Sequence, residues 1–303
     1  MSRVYVFNQL GGPEHEELVD RPVPTPGDGE LLVAVRAAGV NPADAKIRAG
    51  GLGPDRDLPV AMGLEVAGVV AAVGDGVRDF AAGDEVLAPV RVGRGGFAEH
   101  TLVRAAHAVV KPAGISFVDA AVLPVAGTTA FDLTHQVEVD AGGTMLILGA
   151  GGGVGHLAAQ VGRVRGLEVV GVASEAKREL VESTGATFVP SGAHFADAVR
   201  QLAPDGVDLV VDLVGGDALR QATVLATRPA GVVSAADGLV TRLGGSLRQR
   251  VPGALARITN LVADGRVDPH VTATFPLERA REALAVVESG HAAGKVVIEM
   301  VAP

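Results

Sequence analysis

Cysteine and tryptophan are absent from the 303 residues, and the aromatic side chains amount to eight Phe and one Tyr. Without cysteine there is no disulfide framework, thiolate zinc site, cysteine nucleophile or iron–sulfur cluster. Basic charge is not in excess either: 26 Lys and Arg stand against 35 Asp and Glu, a net charge of -9. Phosphate neutralisation needs a concentrated basic face, so this balance argues against a nucleic-acid partner and equally against an anionic membrane surface. The opening Met-Ser-Arg-Val-Tyr-Val-Phe lacks the apolar core and cleavage pattern of a secretory signal. A cytoplasmic enzyme is the resulting expectation.

One stretch imitates a membrane span. Ala141 to Gly162 is 22 residues without Lys, Arg, Asp or Glu, but eight are Gly and three of those are consecutive at Gly151 to Gly153. A lipid-facing helix would not carry them, so the stretch reads as a buried strand, a turn and a buried helix. Overall, 48% hydrophobic and 20% charged residues describe a globular chain with a substantial core, and its length suggests two domains. The 41 Gly are about twice the usual share of roughly 7% and mark tight turns and close backbone approach.

Two styles of sequence alternate. The first hundred or so residues are short β-rich runs broken by turn chemistry: Leu31 to Val35 after Pro24-Thr25-Pro26-Gly27-Asp28-Gly29, then Val66 to Val73, then Gly83-Asp84-Glu85-Val86-Leu87. Past Pro124 the pattern becomes strand, helix, strand. Thr144 to Leu148 is apolar, Val154, Leu157, Ala158, Val161 and Val164 recur at helical spacing, and Leu167 to Val172 is apolar again. A helix over Glu175 to Thr184 and strands at Thr187 to Val189, Val207 to Leu213 and Gly231 to Ala235 continue the alternation, which implies a parallel, doubly wound α/β sheet. In the tail, Pro276 fits the opening turn of a helix striped by Leu277, Ala280, Leu284 and Val287. Lys295 to Met300 reads as a closing strand that returns to the β domain.

Gly149-Ala150-Gly151-Gly152-Gly153-Val154-Gly155 lies between the strongest strand and the strongest helix. A strand turning directly into a helix aims unpaired N–H groups and the positive end of the helix dipole at one point, and glycine lets a pyrophosphate approach. The spacing Gly149-x-x-Gly152-x-x-Gly155 departs from G-x-G-x-x-G, so the βαβ context carries the reading. Where an acid would bind the ribose hydroxyls of NAD, Ala173 and Ser174 stand instead. Glu175 follows them, and then Lys177 and Arg178, which could pair with a 2′-phosphate, so NADPH is favoured. Other chemistries find little support. Gly290 and Gly294-Lys295 lack P-loop spacing, no Ser sits in a G-x-S-x-G elbow, and the eight His form no H-x-x-x-H pair, so each is read as surface or structural.

Several blocks in order along the chain carry a resemblance. They are Gly39-Val40-Asn41-Pro42-Ala43-Asp44-Ala45-Lys46-Ile47-Arg48-Ala49-Gly50, Gly63-Leu64-Glu65-Val66-Ala67-Gly68, Gly83-Asp84-Glu85-Val86, Gly95-Gly96-Phe97-Ala98-Glu99, Ala126-Gly127-Thr128-Thr129-Ala130, the glycine turn, and Gly294-Lys295-Val296-Val297. With these the chain resembles the zinc-independent quinone and enone oxidoreductases of the medium-chain dehydrogenase/reductase superfamily. The resemblance implies a Rossmann domain over 117–264, a GroES-like β domain built from 1–116 and 265–303, an active site in the cleft between them, and a homodimer. Zinc-dependent relatives carry Cys and His at the places of Asn41 and Leu64, so no metal is expected here, and Glu65 is expected to be structural.

By the same resemblance Gly151, Gly152, Gly153 and Val154 hold the pyrophosphate; Ser174, Lys177 and Arg178 the ribose phosphate; and Thr128 and Asn41 lie near the nicotinamide. Pro190-Ser191-Gly192 stands where relatives often have an Asn-Tyr or Asn-His pair. Many relatives have Tyr at Lys46, and the lysine version looks like the branch with enone and alkenal reductases. Hydride addition to an enone or quinone develops negative charge on oxygen, which an ammonium can stabilise or protonate. Lys46 is therefore either that group or an exposed cation covering the surface, and Asn41 either a cleft residue or an Asn-Pro turn. The expected activity is NADPH-dependent reduction of a small-molecule quinone or α,β-unsaturated carbonyl, with few aromatics favouring a small or aliphatic acceptor. An enoyl-thioester reductase or a non-catalytic NADPH-binding protein are the alternatives.

Overall fold

Where turn residues punctuate short β-branched runs the chain forms antiparallel sheets, and where apolar strands alternate with helical stripes it forms one parallel sheet. The computed structural model describes residues 1–51, 57–290 and 292–300. The chain divides into two units, Met1–Val125 with Val271–Pro303, and Ala126–His270. These crossings lie at 125/126 and 270/271 rather than at 116/117 and 264/265, so residues 117–125 go with the first unit and 265–270 with the second.

The first unit contains β1 (Ser2–Phe7), β2 (Glu16–Arg21), β3 (Glu30–Val40), α1 (Pro42–Arg48), β4 (Val60–Ala61), β5 (Glu65–Val73), β6 (Glu85–Pro89), β7 (His100–Arg104), β8 (Val109–Val110) and α2 (Phe117–Ala120). The second holds α3 (Thr128–His135), β9 (Thr144–Leu148), α4 (Gly153–Val164), β10 (Glu168–Ala173), α5 (Arg178–Ser183), β11 (Thr187–Pro190), α6 (Phe195–Leu202), β12 (Leu209–Asp212), α7 (Gly216–Thr223), β13 (Val232–Ser234), α8 (Leu239–Arg242), β14 (Ser246–Leu247) and α9 (Ala254–Ala263). The tail adds β15 (Val271–Pro276), α10 (Ala280–Glu288) and β16 (Lys295–Glu299) to the first unit.

In the first unit β2-β1-β4 form a small sheet, and β15-β16-β3-β5-β6-β8, with β7 paired to β3, form a larger one. The closing strand does return to the β domain: β16 runs antiparallel to β3, with Val296 opposite Val40 and Val297 opposite Gly39. Of the stripe expected on the last helix, Leu277, Ala280 and Leu284 are buried in the core cluster that also holds Val33, Val66, Phe97 and Ile298, a burial worth roughly 1.5–3 kcal/mol for each large side chain, while Val287 is half-buried at its edge. The β15 strand, parallel to β16, has no fully buried residue and so carries no apolar run that marks it in the sequence. An acid–base cluster completes the unit. Arg48 is buried and pairs with Glu16, also buried, and with Glu288, while Tyr5 donates its hydroxyl to Glu16 at 2.8 Å.

The second unit carries the parallel sheet in the order β11-β10-β9-β12-β13-β14. Numbered within the unit that is 3-2-1-4-5-6, the doubly wound dinucleotide-binding order, in which ligands sit outside the carboxyl ends of the strands where the order reverses. Both faces of β9 are covered, which explains why Met145, Leu146, Ile147 and Leu148 form an unbroken apolar run. Ala141 to Gly162 is accordingly a strand, a turn and a helix packed within protein.

Candidate active site

The order of this sheet reverses between β9 and β12, and two loops meet there. The first is the glycine turn. Gly149 has φ +84°, a left-handed conformation that glycine adopts without strain, and its N–H and that of Ala150 both donate to the Val172 carbonyl of β10 at 3.0 Å. A Cβ on Gly155 would overlap the Gly149 carbonyl and come within 2.7 Å of Ala150 Cα, so that glycine seats α4 on the strand end. A Cβ on Gly151 would lie 2.6 Å from the stem of Lys177.

Gly152 differs from these neighbours. It is the N-cap of α4 with φ -94° and ψ 167°, ordinary extended backbone, and the nearest atom to an added Cβ is the Gly149 carbonyl oxygen at a comfortable 3.5 Å. Neither conformation nor packing asks for glycine there. A phosphate brought against the N–H groups of Gly153, Val154 and Gly155 would, since the first amides of a helix have no acceptor within it. The residues therefore fit a dinucleotide phosphate on the ground that an unexplained glycine faces the positive end of a helix.

The second loop follows β12. Asp212 is fully buried and accepts from Val214 N–H at 3.0 Å, Gly215 N–H at 2.8 Å and the Ser234 hydroxyl at 2.6 Å; the Ser234 oxygen in turn accepts from the N–H groups of Ala236 and Asp237. The loops after β12 and β13 are thus tied to each other, and Val214 packs beside Gly149. Sequence reasoning passed over both residues. The signal was an acid ending one buried strand and a serine ending the next.

Ser174 is exposed at the end of β10 and Lys177 is half-buried, its ammonium pushed below its ordinary pKa by desolvation. Arg178 is taken up by Glu175, with Nε–Oε1 2.6 Å and Nη2–Oε2 3.1 Å, and stands over the Phe188 ring. Its hydrogen bonds hold the Glu175 carboxyl below its usual range. Both partners are exposed, so the pair is a weak one that an incoming phosphate can replace. Thr128 opens α3 and its hydroxyl accepts from Arg248 Nη2 at 3.0 Å, while Arg248 also pairs with buried Asp132 at 2.7 Å.

The remaining sequence-selected residues belong to the first unit. Lys46 is exposed on α1, and no hydrogen bond or ion pair engages its ammonium among the described residues. Asn41 is buried and fully engaged: Nδ2 donates to Glu65 Oε1 at 2.8 Å and Oδ1 accepts from Lys295 Nζ at 2.7 Å, while its backbone N–H donates to Asp44 Oδ2 at 2.8 Å. Glu65 is fully buried and also accepts from Val125 N–H at 2.7 Å and pairs with Lys295 at 3.3 Å. It is not isolated, as its place in the sequence suggested, because β16 brings Lys295 beside it. A Cβ on Gly39 would lie 2.7 Å from the Glu65 carboxyl carbon, so the strand has room for this carboxylate only as glycine. Asp44 completes the cluster. Desolvation, and then the charge of Glu65, push its carboxyl up to about 7 against the pull of the Asn41 amide and Lys295, and among the described residues its Oδ1 has no hydrogen-bond partner.

This cluster does not fit zinc. The amide oxygen and carboxylate that could serve as ligands are held by an ammonium that would repel the ion, and Leu64 offers no donor. Asn41 organises the start of α1 through Glu65 and Lys295 rather than presenting a free polar group.

A dinucleotide-type parallel sheet in one unit and a β-rich fold in the other are the two parts expected of a medium-chain oxidoreductase. Residues 27–113 match the family described as alcohol dehydrogenase GroES-like domain, and 184–298 the family described as zinc-binding dehydrogenase. The chain is 34% identical to the NADPH-dependent alkenal/one oxidoreductase of Arabidopsis thaliana over 98% of its length and 79% of that protein's. It is 32% identical to the chloroplast envelope quinone oxidoreductase homolog of the same plant, with 95% of each chain covered. The solved quinone oxidoreductase of Coxiella burnetii superposes with a TM-score of 0.89 at 30% identity, covering 98% of this chain and 99% of that one. The chain belongs to the quinone oxidoreductase-like family of the medium-chain dehydrogenase/reductase superfamily and is an oxidoreductase.

Proposed function

We propose that the protein uses NADPH to reduce a quinone or an α,β-unsaturated carbonyl without a metal ion. The observation that carries the nucleotide part is Gly152, a glycine with no conformational or packing reason at the amide-rich end of α4. Support for the acceptor comes from the alkenal/one and quinone oxidoreductases among the relatives. When bound, the nicotinamide supplies a hydride. The backbone from Gly151 to Val154 receives the pyrophosphate, and Ser174, Lys177 and Arg178 receive the 2′-phosphate, Arg178 exchanging Glu175 for it.

On the substrate, a new C–H bond at the β-carbon sends the alkene electrons onto the carbonyl oxygen. Lys46 is the cation we assign to that oxygen, and a proton from its ammonium or from water, taken up by the enolate and finally bonded to the α-carbon, completes the saturated product. Because Lys46 is exposed and makes no ion pair among the described residues, Lys46→Ala should unfold like the parent chain and lower kcat by ~10²-fold, the low end for a lost general acid. Unchanged turnover on a quinone, a short enone and an enoyl thioester would remove Lys46 from the mechanism. The same panel, followed by NADPH oxidation, tests the function. Preference for the thioester would favour an enoyl reductase, and no oxidation despite nucleotide protection against unfolding would make the chain a binding protein. We further assign it to the cytoplasm as a homodimer, a state that light scattering reads directly.

A further inference from the structure

The second unit contains a group of side chains that the nucleotide chemistry does not use. His156, directly after Gly155 on α4, is 3% exposed, and among the described residues neither of its ring nitrogens makes a well-formed hydrogen bond, the backbone of Leu180 offering only a weak one. Leaving a buried imidazole so poorly met is costly unless something outside the chain meets it. Opposite it lies Asp268-Pro269-His270. The His270 ring centroid is 4.8 Å from that of His156, and ligand atoms of His156, Asp268 and His270 all fall within 4.8 Å of one another.

This arrangement is built at some cost. His270 holds φ +52°, the one positive φ outside glycine among the described residues, a conformation unfavourable for a side-chain-bearing residue. Two contacts enforce it. Gln160, one turn beyond His156 on α4, grips the Asp268 backbone at both ends, donating to its carbonyl at 2.8 Å and accepting from its N–H at 2.8 Å. Asp268 Oδ1 then accepts from the His270 N–H at 2.9 Å. The helix therefore presents one imidazole while holding the segment that presents the second and the carboxylate. Asp268 is exposed and His270 half-buried, so the group opens to solvent on one side.

We propose that His156, Asp268 and His270 bind a divalent cation of the zinc class, with a fourth position open to water. Two imidazoles and one carboxylate suit Zn²⁺, and tetrahedral ligands at Zn–N of about 2.0–2.1 Å lie roughly 3.4 Å apart, within reach of side-chain rotation here. The site is separate from the Asn41–Glu65–Lys295 cluster and has no part in hydride transfer. Its effect is to lock the last residues of this unit onto the first turn of α4.

The test is calorimetric titration of the full-length chain with ZnCl₂, with visible absorption of Co²⁺ as the second probe. One equivalent per chain is expected, with a tetrahedral-type Co²⁺ spectrum and no matching uptake of Mg²⁺. His270→Gly, which relieves the positive φ and so folds, should weaken Zn²⁺ binding at least tenfold, and Asp268→Asn and His156→Asn should do likewise. Well-folded parent protein taking up much less than one equivalent, or binding that His270→Gly and Asp268→Asn leave intact, would overturn the assignment.

Discussion

Replacing Gly152 with alanine separates a glycine kept for a ligand from a glycine kept for the fold. The backbone there is extended and the new methyl meets only an oxygen at 3.5 Å, so the folded chain accommodates it. Alanine is a poorer N-cap than glycine by up to about 1 kcal/mol, while stiffening the unfolded chain returns ~0.4–1 kcal/mol. The two nearly cancel, and Tm should stay within roughly 4 °C of the parent. Bound nucleotide has no such tolerance. The methyl occupies the approach to the Gly153 and Val154 amides, and losing one hydrogen bond to a charged phosphate costs ~1.5–3 kcal/mol, a 10- to 150-fold rise in Kd for NADPH. Gly155→Ala is the control: its Cβ overlaps the Gly149 carbonyl, so it should lose ~1–3 kcal/mol or more of stability. Thermal unfolding with and without NADPH, together with calorimetric titration, reads both quantities. A Gly152→Ala variant that binds NADPH like the parent, or that unfolds as early as Gly155→Ala, refutes the reasoning.

Three further outcomes follow from the charges. Asp44 has a folded pKa of about 7 against 3.8 for the free side chain, so its contribution is full below pH 4 and is lost as pH rises through 7. Asp44→Asn does not titrate, and its Tm relative to the parent should climb between pH 5 and pH 8; a constant difference over that range contradicts the assignment. Lys295→Met leaves the buried Glu65 carboxylate without its cation and should cost ~3–5 kcal/mol, a fall in Tm on the order of 10 °C, part of which Glu65→Gln restores in the double variant. An unchanged denaturation midpoint for Lys295→Met would mean that the pair is not maintained. Lys177→Ala should raise Kd for NADPH about tenfold while leaving NADH binding nearly unchanged, and equal losses for both nucleotides would remove Lys177 from the 2′-phosphate site.

What the sequence revealed of this molecule follows the range of each interaction. The β9–turn–α4 unit is legible because its signals are local: an apolar run buried on both faces, a turn, and a helical stripe lie within 22 residues. Strand order is one step removed, yet alternating strands and helices leave few topologies, and the doubly wound order is among them. The polar clusters are different in kind. In the sequence Lys295 resembles a P-loop lysine without the spacing, since nothing near it in the chain indicates a carboxylate; the pairing of β16 with β3 carries its ammonium to Asn41 and Glu65. Burial then changes what those residues can do. An asparagine that the resemblance puts near the nicotinamide, and its Asn-Pro context in a turn, has both ends of its amide engaged, and the lysine beside it takes the place that a cation would need. His156 and His270 lack ligand spacing in the sequence, a criterion that applies within one helix or turn and not to residues joined by the Gln160 grip on Asp268. Where a side chain's function depends on a partner from a distant element, its local pattern describes only a turn or surface residue, and the sheet register decides which neighbour it meets.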